Sequence, residues 1–155
     1  LILDEARRPA TTRAFEIDHA AVRDLLDFLP ALYPGGREWL EGRLADIFVG
    51  RAVAVTMNVD DSLAGIAIGI LKDSGRFKIC TLFVRPEHRR TGVGAGLLDA
   101  LLSTPESTSS SAVYITAAHT IRREIAPLLS SRGFTMIASV EDRYGAGRHE
   151  DVFAR

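Results

Sequence analysis

The segment that most restricts the fold runs TLFVRPEHRRTGVGAGLL, from Thr81 to Leu98. Its first part is apolar through Val84 and is stopped by Pro86, the pattern of a buried strand. Arg89-Arg90-Thr91-Gly92-Val93-Gly94-Ala95 follows, and Val93, Leu97, Leu98, Leu101 and Leu102 then recur at helical spacing. That spacing predicts a helix over Val93 to Leu102. Glycine costs about 1 kcal/mol inside a helix, yet Gly92, Gly94 and Gly96 cluster at this helix start. One account is a helix N-terminus built of small residues for packing. The other is an anion cradle. A helix N-terminus exposes unpaired N–H groups and the positive end of its dipole, and glycines let the backbone approach a phosphate closely. Arg89 and Arg90 add charge at the rim.

Two common phosphate loops are excluded. The mononucleotide pattern needs a lysine after its glycines, and none is present. The dinucleotide pattern needs a glycine where Leu97 stands. No acidic residue closes the next apolar run, Ala112 to Ala117, to hold a ribose.

The rest of the chain reads as a single α/β domain. Thr12 to Ile17 alternates and predicts a strand. Asp18 is placed to cap a helix over His19 to Leu29. Pro30 and Pro34-Gly35-Gly36 interrupt before a second helix, Arg37 to Phe48, with Trp39, Leu40, Leu44 and Ile47 inward. Ala52 to Val59, Ser62 to Leu71 and Phe77 to Val84 predict an antiparallel meander. Ser103 to Ser111, rich in hydroxyls, predicts an exposed, mobile loop. A strand over Ala112 to Ala117 follows, then a helix over Thr120 to Ser131 closed by Gly133 in the left-handed region. Phe134 to Val140 and Asp151 to Ala154 predict two last strands. The order is strand, two helices, three strands, helix, strand, helix, two strands. It predicts a mixed, mostly antiparallel twisted sheet of about seven strands flanked by about four helices.

A strand ending apolar-x-Val-x-Pro-Glu, followed by [Q/R]-x-x-G-x-[G/A], resembles the GNAT N-acetyltransferase superfamily. Arg89, Gly92 and Gly94 fill its defining positions, and Leu82, Val84 and Pro86 fill the strand before them. Gly133-Phe134 matches the Gly-Phe pair that commonly ends the last helix of that family. The element order is also similar, from Thr12 to Ala154. The resemblance implies a splayed parallel strand pair, here Phe77 to Val84 and Ala112 to Ala117, that admits the arm of acetyl-CoA. It implies an acetyl-CoA-dependent N-acetyltransferase that moves the acetyl group directly to a primary amine, with acetyl-CoA as cosubstrate. Backbone N–H groups of Arg90, Thr91, Gly92, Val93, Gly94 and Ala95 would hold the pyrophosphate. Leu82, Phe83 and Val84 would pair with the pantetheine arm like an added strand. A backbone N–H at Leu82 or Phe83 would polarise the thioester carbonyl.

Three positions depart from the family pattern. Leu129 stands where a tyrosine commonly serves as the acid. Lys78 stands where some relatives carry a glutamate base. Arg122 or a neighbour replaces an asparagine common near the start of the last helix. His119, just past the Ala112 to Ala117 strand, is the remaining candidate base, since an imidazole there can take a proton. Its alternative is an inert histidine at a helix start. His88 is expected at the rim of the loop and Cys80 in a structural setting. Tyr33 and Trp39 lie on helices that often shape the acceptor pocket, although the spacing of Trp39 fits the core. The departures leave a second function open, a catalytically degenerate module that binds or senses acyl-CoA.

Composition narrows the partners. The chain has 155 residues, one cysteine and a formal net charge of -1. A single cysteine excludes an intramolecular disulfide framework and a multi-cysteine zinc site, and no metal site is expected. The longest apolar run, Leu63 to Leu71, is too short to cross a membrane. Near-neutral charge disfavours nucleic acid as a partner. The exception is an aminoacyl-tRNA acceptor on Arg89-Arg90 and Arg122-Arg123. Glu38, Glu41 and Asp46 could line a pocket for a cationic acceptor or form an ordinary solvated helix face. Residues 1–11 are expected as an N-terminal extension to a domain over 12–155. The chain starts at Leu1, as a processed product or a piece of a longer protein would. Without a visible leader or a disulfide pair, a cytoplasmic location is expected. The resemblance also allows a homodimer.

Overall fold

The computed structural model describes residues 10–12, 17–143 and 146–155. Among the described residues, seven strands form one sheet in the order β1-β2-β3-β4-β5-β7-β6. They are β1 (Ala10–Thr12), β2 (Ala52–Val59), β3 (Ser62–Leu71), β4 (Phe77–Val84), β5 (Val113–Ala118), β6 (Thr135–Val140) and β7 (Glu150–Ala154). Every neighbouring pair is antiparallel except β4 and β5. Four helices exceed a single pair of turns or come close to it: α1 (His19–Leu25), α3 (Gly36–Phe48), α4 (Val93–Leu102) and α6 (Arg122–Ser130). Two four-residue helical turns are also present among the described residues, α2 (Leu29–Leu32) and α5 (Pro105–Thr108).

The helices divide between the two faces of the sheet. Leu97, Leu98 and Leu101 of α4 and Leu129 of α6 pack with Val55, Ala67, Phe77, Ile79, Ile115 and Phe153. Val22 and Leu25 of α1 and Leu40, Leu44 and Ile47 of α3 pack with Ala54, Ile66 and Ile68. With helices on both sides, Ala64 to Ile68 of β3 is buried residue after residue except for Gly65's lack of a side chain. That is why β3 reads as an unbroken apolar run and not as an alternation.

Several boundaries differ from expectation for physical reasons. The first strand lies at Ala10–Thr12, and the remainder of the expected Thr12 to Ile17 strand falls largely outside the described residues. The first helix stops at Leu25, although Asp18 caps it through a bond from Ala21 N–H at 3.1 Å. Proline disrupts a helix interior but fits the first turn, so Pro30 sits at the start of the separate turn α2. Ser103 to Ser111 is exposed at most of its positions, as expected, but it is not without structure. It contains α5, and Thr104 and Ser107 are buried. The hydroxyls bond locally to backbone: Thr104 donates to Leu101 O at 2.7 Å and Ser110 to Ser107 O at 2.6 Å. The last helix is preceded by a 3-10 turn over His119–Ile121, and Gly133 follows it at φ +83°.

One irregularity positions the site. Ile79 of β4 faces Gly69, and Thr81 faces Ile68, so Cys80 is an extra residue in β4. Such a bulge bends a strand and increases its twist. β4 and β5 pair only through Phe77 with Val113, Lys78 with Tyr114, and Ile79 with Ile115. Past the bulge the two strands diverge, leaving a gap in the middle of the sheet.

Candidate active site

The gap opens beside the start of α4. The chain leaves β4 at Val84, makes a 3-10 turn over Pro86–His88, and enters α4 through Gly92. Gly92 has φ +89° and Arg90 has φ +62°. This reversal turns successive N–H groups to one side. Among the described residues, none of the N–H groups of Arg90, Thr91, Gly92, Val93, Gly94 and Ala95 donates a hydrogen bond. Gly92 caps the helix without any side-chain bond, and a Cβ on it would meet nothing within 4 Å. Six unpaired donors at the positive end of a ten-residue helix form a concave, electropositive surface. Thr91 Oγ1 donates to His88 O and holds the turn. Arg89 Nε donates to Val84 O at 3.0 Å, and its guanidinium lies 5.6 Å over the Phe83 ring. His88 is half-buried in the same turn.

The wall of the gap is β4 itself. Arg85 N–H donates to Ala64 O at 2.8 Å. Antiparallel ladders alternate the side to which backbone groups point. Phe83 therefore turns its N–H and C=O toward β3, and Leu82 and Val84 turn theirs toward the gap. The Phe83 ring packs on Phe28, 4.6 Å between centroids. Opposite, α4 lies close to β4 and α6 at Gly94, where a Cβ would make ordinary contact with Val84 at 3.6 Å and Leu128 at 3.9 Å. Arg132, past the end of α6, forks onto Asp99 of α4 at 2.6 and 3.1 Å and ties the two helices together.

His119 stands at the C-terminal end of β5 with its side chain about half exposed. Its Nδ1 lies 3.1 Å from Oδ2 of Asp151, which is fully buried. Ser139 Oγ donates to Asp151 Oδ1 at 2.8 Å, and Arg122 Nε lies 3.8 Å from Oδ2. The alternation of β7 puts Asp151 on the same face as Phe153, the face covered by α4 and α6. Sequence inspection passed over both Asp151 and its neighbour Glu150. The available signal was HEDVFA, two acids entering a strand on opposite faces.

Glu150 faces the other way, toward the side of α1 to α3. It is 4% exposed and lies opposite Ala118 and Val140. Its carboxylate accepts no hydrogen bond among the described residues. Burial pushes its carboxyl above the ordinary range. Asp151 adds to that effect, and the charges of Arg143 and Lys78 oppose it. On this face the β6–β7 connection reaches across to α2: Arg148 donates to Leu32 O and lies 5.5 Å over the Tyr33 ring.

The other singled-out residues have plainer settings. Leu129 is fully buried in the core. Trp39 packs half-buried against the cluster under α3, as its spacing implied. Cys80 is half-buried, and burial raises its thiol. Glu41 pairs with Arg23 at 2.6 Å in an exposed ion pair, and Asp46 pairs with Arg43 at 3.0 Å in a largely buried one, so each carboxylate already has a guanidinium partner. Ser131 donates to Leu128 O at 2.8 Å, and Ser130 is exposed. Among the described residues, no group of three or more His, Cys, Asp or Glu is placed to hold a metal ion, and no helix is long and apolar enough to cross a membrane.

A family model described as an acetyltransferase (GNAT) domain matches residues 37–147. No curated protein sequence matches the chain significantly. Solved structures share its fold at low identity. The ribosomal-protein-S18-alanine N-acetyltransferase from Escherichia coli is 16% identical, with TM-score 0.75, over 96% of this chain and 92% of that one. An acetyltransferase from Bacillus subtilis, solved in complex with CoA, is 15% identical, with TM-score 0.72, over 96% and 97%. The aminoglycoside 6'-N-acetyltransferase from Enterococcus faecium is 15% identical, with TM-score 0.68, over 95% of each chain.

Proposed function

We propose that this chain, which belongs to the GNAT acetyltransferase family, transfers the acetyl group of acetyl-CoA directly to a primary amine. The observation that carries this is the row of six unpaired N–H groups from Arg90 to Ala95 beside a gap in the sheet. A pyrophosphate matches such a row in charge and in hydrogen-bonding capacity. The gap offers the backbone of Leu82 and Val84 to an extended, amide-bearing arm. A CoA complex of a similarly folded protein supports the same cosubstrate.

The bound thioester supplies an activated acyl group. The protein's own residues supply position and proton transfer. The cradle and the β4 edge would fix the thioester, and the N–H of Leu82, directed into the gap, would donate to its carbonyl oxygen as charge develops there. Holding two reactants in register can supply a large part of such a rate enhancement. His119 would act on the face of α4 and α6. Asp151 fixes its Nδ1, so Nε2 is the nitrogen free to exchange a proton with a reacting group.

Thermal denaturation with acetyl-CoA, CoA and adenosine tests the cosubstrate. A ligand at about 100 times its Kd adds ~2.7 kcal/mol to the native state. A saturable rise with both CoA species, and none with adenosine, is expected. Absence of any shift at millimolar ligand would overturn the assignment. A buried leucine at position 129, where the family commonly has a tyrosine acid, favours a second function, binding of acyl-CoA without turnover. Amine-dependent release of CoA thiol would rule that out.

A further inference from the structure

We propose that the acceptor is an amine that also carries a carboxylate, and that Arg43 and Lys78 receive that carboxylate. This rests on the acyl transfer proposed above and names the substrate class at its acceptor side. The helix α3 packs Leu40, Leu44 and Ile47 onto the sheet. Trp39, Arg43 and Asp46 follow one another at spacings of four and three, so they share one flank of the helix, and all three are half-buried. Glu41, on the other flank, pairs with Arg23 of α1. The Arg43 flank faces β4, where its guanidinium lies beside the Cys80 thiol. Cys80 is the extra residue of the β4 bulge, just past the last β4–β5 pair. Arg43 therefore stands over the closed end of the gap, on the face opposite the cradle.

This guanidinium is held in place but not saturated. Its Nη2 lies 3.0 Å from Oδ2 of Asp46, and its centre lies 5.9 Å over the Trp39 ring. Its Nε is buried and has no hydrogen-bond partner among the described residues. The Cys80 thiol, a weak acceptor in any case, donates instead to Lys78 O at 3.7 Å. Buried donors are normally paired, and the planar fork of a guanidinium matches the two oxygens of a carboxylate.

Lys78 extends the positive charge along β4. It sits opposite Tyr114 of β5, whose ring lies 4.3 Å under the Arg76 guanidinium. The charges that act on Cys80 are those of Lys78, Arg43 and Lys72, all positive. Of the nearby acids, Asp46 is paired with Arg43, and burial disfavours the charged form of Glu150. An amine without an anion meets like charge here. A carboxylate on the same molecule offsets that charge and anchors one end of the acceptor beside the gap, which holds the reactants together.

The test compares matched amines with and without a carboxylate: 4-aminobutyrate against butylamine, and alanine against alaninamide. Calorimetry reads their binding to the CoA complex, and thiol release reads their turnover with acetyl-CoA. At least one carboxylate amine is expected to bind about tenfold or more tightly than its neutral match and to show the lower KM. Arg43→Gln should remove that preference, and Arg43→Lys, which keeps the charge without the fork, should restore only part of it. Retained CoA binding reports that each variant is folded. Where Arg43→Gln does not fold, Lys78→Gln carries the same comparison and should reduce the preference. The assignment fails if neither carboxylate amine outbinds its match, or if both members of a pair weaken alike in Arg43→Gln. Thiol release driven equally by 4-aminobutyrate and butylamine would keep acyl transfer and reject the carboxylate site. Arg43-dependent binding of 4-aminobutyrate with no thermal shift from CoA would reject acyl transfer and keep the carboxylate site.

Discussion

Replacing Gly92 with alanine separates ligand binding from backbone strain. Gly92 has φ +89° and Gly133 has φ +83°, and a Cβ added at either meets nothing within 4 Å. The left-handed region costs an L-residue about 1–2 kcal/mol. Gly92→Ala and Gly133→Ala should therefore be destabilised alike. In a chain of this length about 1 kcal/mol lowers Tm by ~2–4 °C, so each variant should melt roughly 2–8 °C below wild type. What differs is the space each methyl enters. At Gly92 it stands at the mouth of the N–H row, and at Gly133 it stands past the end of α6. Calorimetric titration with CoA should show Gly92→Ala weakened by about tenfold or more, a loss of ~1.4 kcal/mol. Gly133→Ala should bind as wild type does. Equal CoA affinity in the two variants would show that the row from Arg90 to Ala95 does not hold the phosphates.

Three further outcomes are expected. Glu150 holds its proton more tightly folded than unfolded, so between those two titration points the folded state binds more protons and stability falls as pH rises. Urea midpoints across pH should show that fall in wild type and not in Glu150→Gln, which should be the more stable of the two at neutral pH. Asp151→Asn leaves Arg122 and His119 without their buried charged partner and should cost about 1–3 kcal/mol in urea unfolding, more than Ser139→Ala. Burial raises the Cys80 thiol, so native protein should react with iodoacetamide more slowly than urea-unfolded protein, as mass spectrometry can follow.

Much of the passage from β4 into α4 was legible because its signals are local. Pro86 stops a strand, Gly92 reverses the chain, and the leucines of α4 keep a helical period, all within one short segment. The meander was legible for the same reason, since its turns at Asp60-Asp61 and Asp73-Ser74-Gly75 stand between apolar runs. The surroundings of Glu150 and Asp151 were not. Glu150 stands on a strand that pairs on both edges, with β5 and with β6, which come from elsewhere in the chain. No window of sequence around Glu150 carries that information. Asp151 was hidden likewise, since its partners His119, Ser139 and Arg122 come from three other elements. Composition gave the exposure of Ser103 to Ser111 but not its helical turn, where hydroxyls also bond to nearby carbonyls.

The separation of β4 from β5 also gives the molecule a mechanical seam. Only three residue pairs join the two strands, and the chain crosses from one side to the other once, through α5. On one side lie β1 to β4 with α1 to α4; on the other lie β5, α6, β6 and β7. Under force applied across the sheet, rupture should begin along this line, where few hydrogen bonds bear the load. A chain cut at α5 would yield two fragments whose shared border is the gap itself.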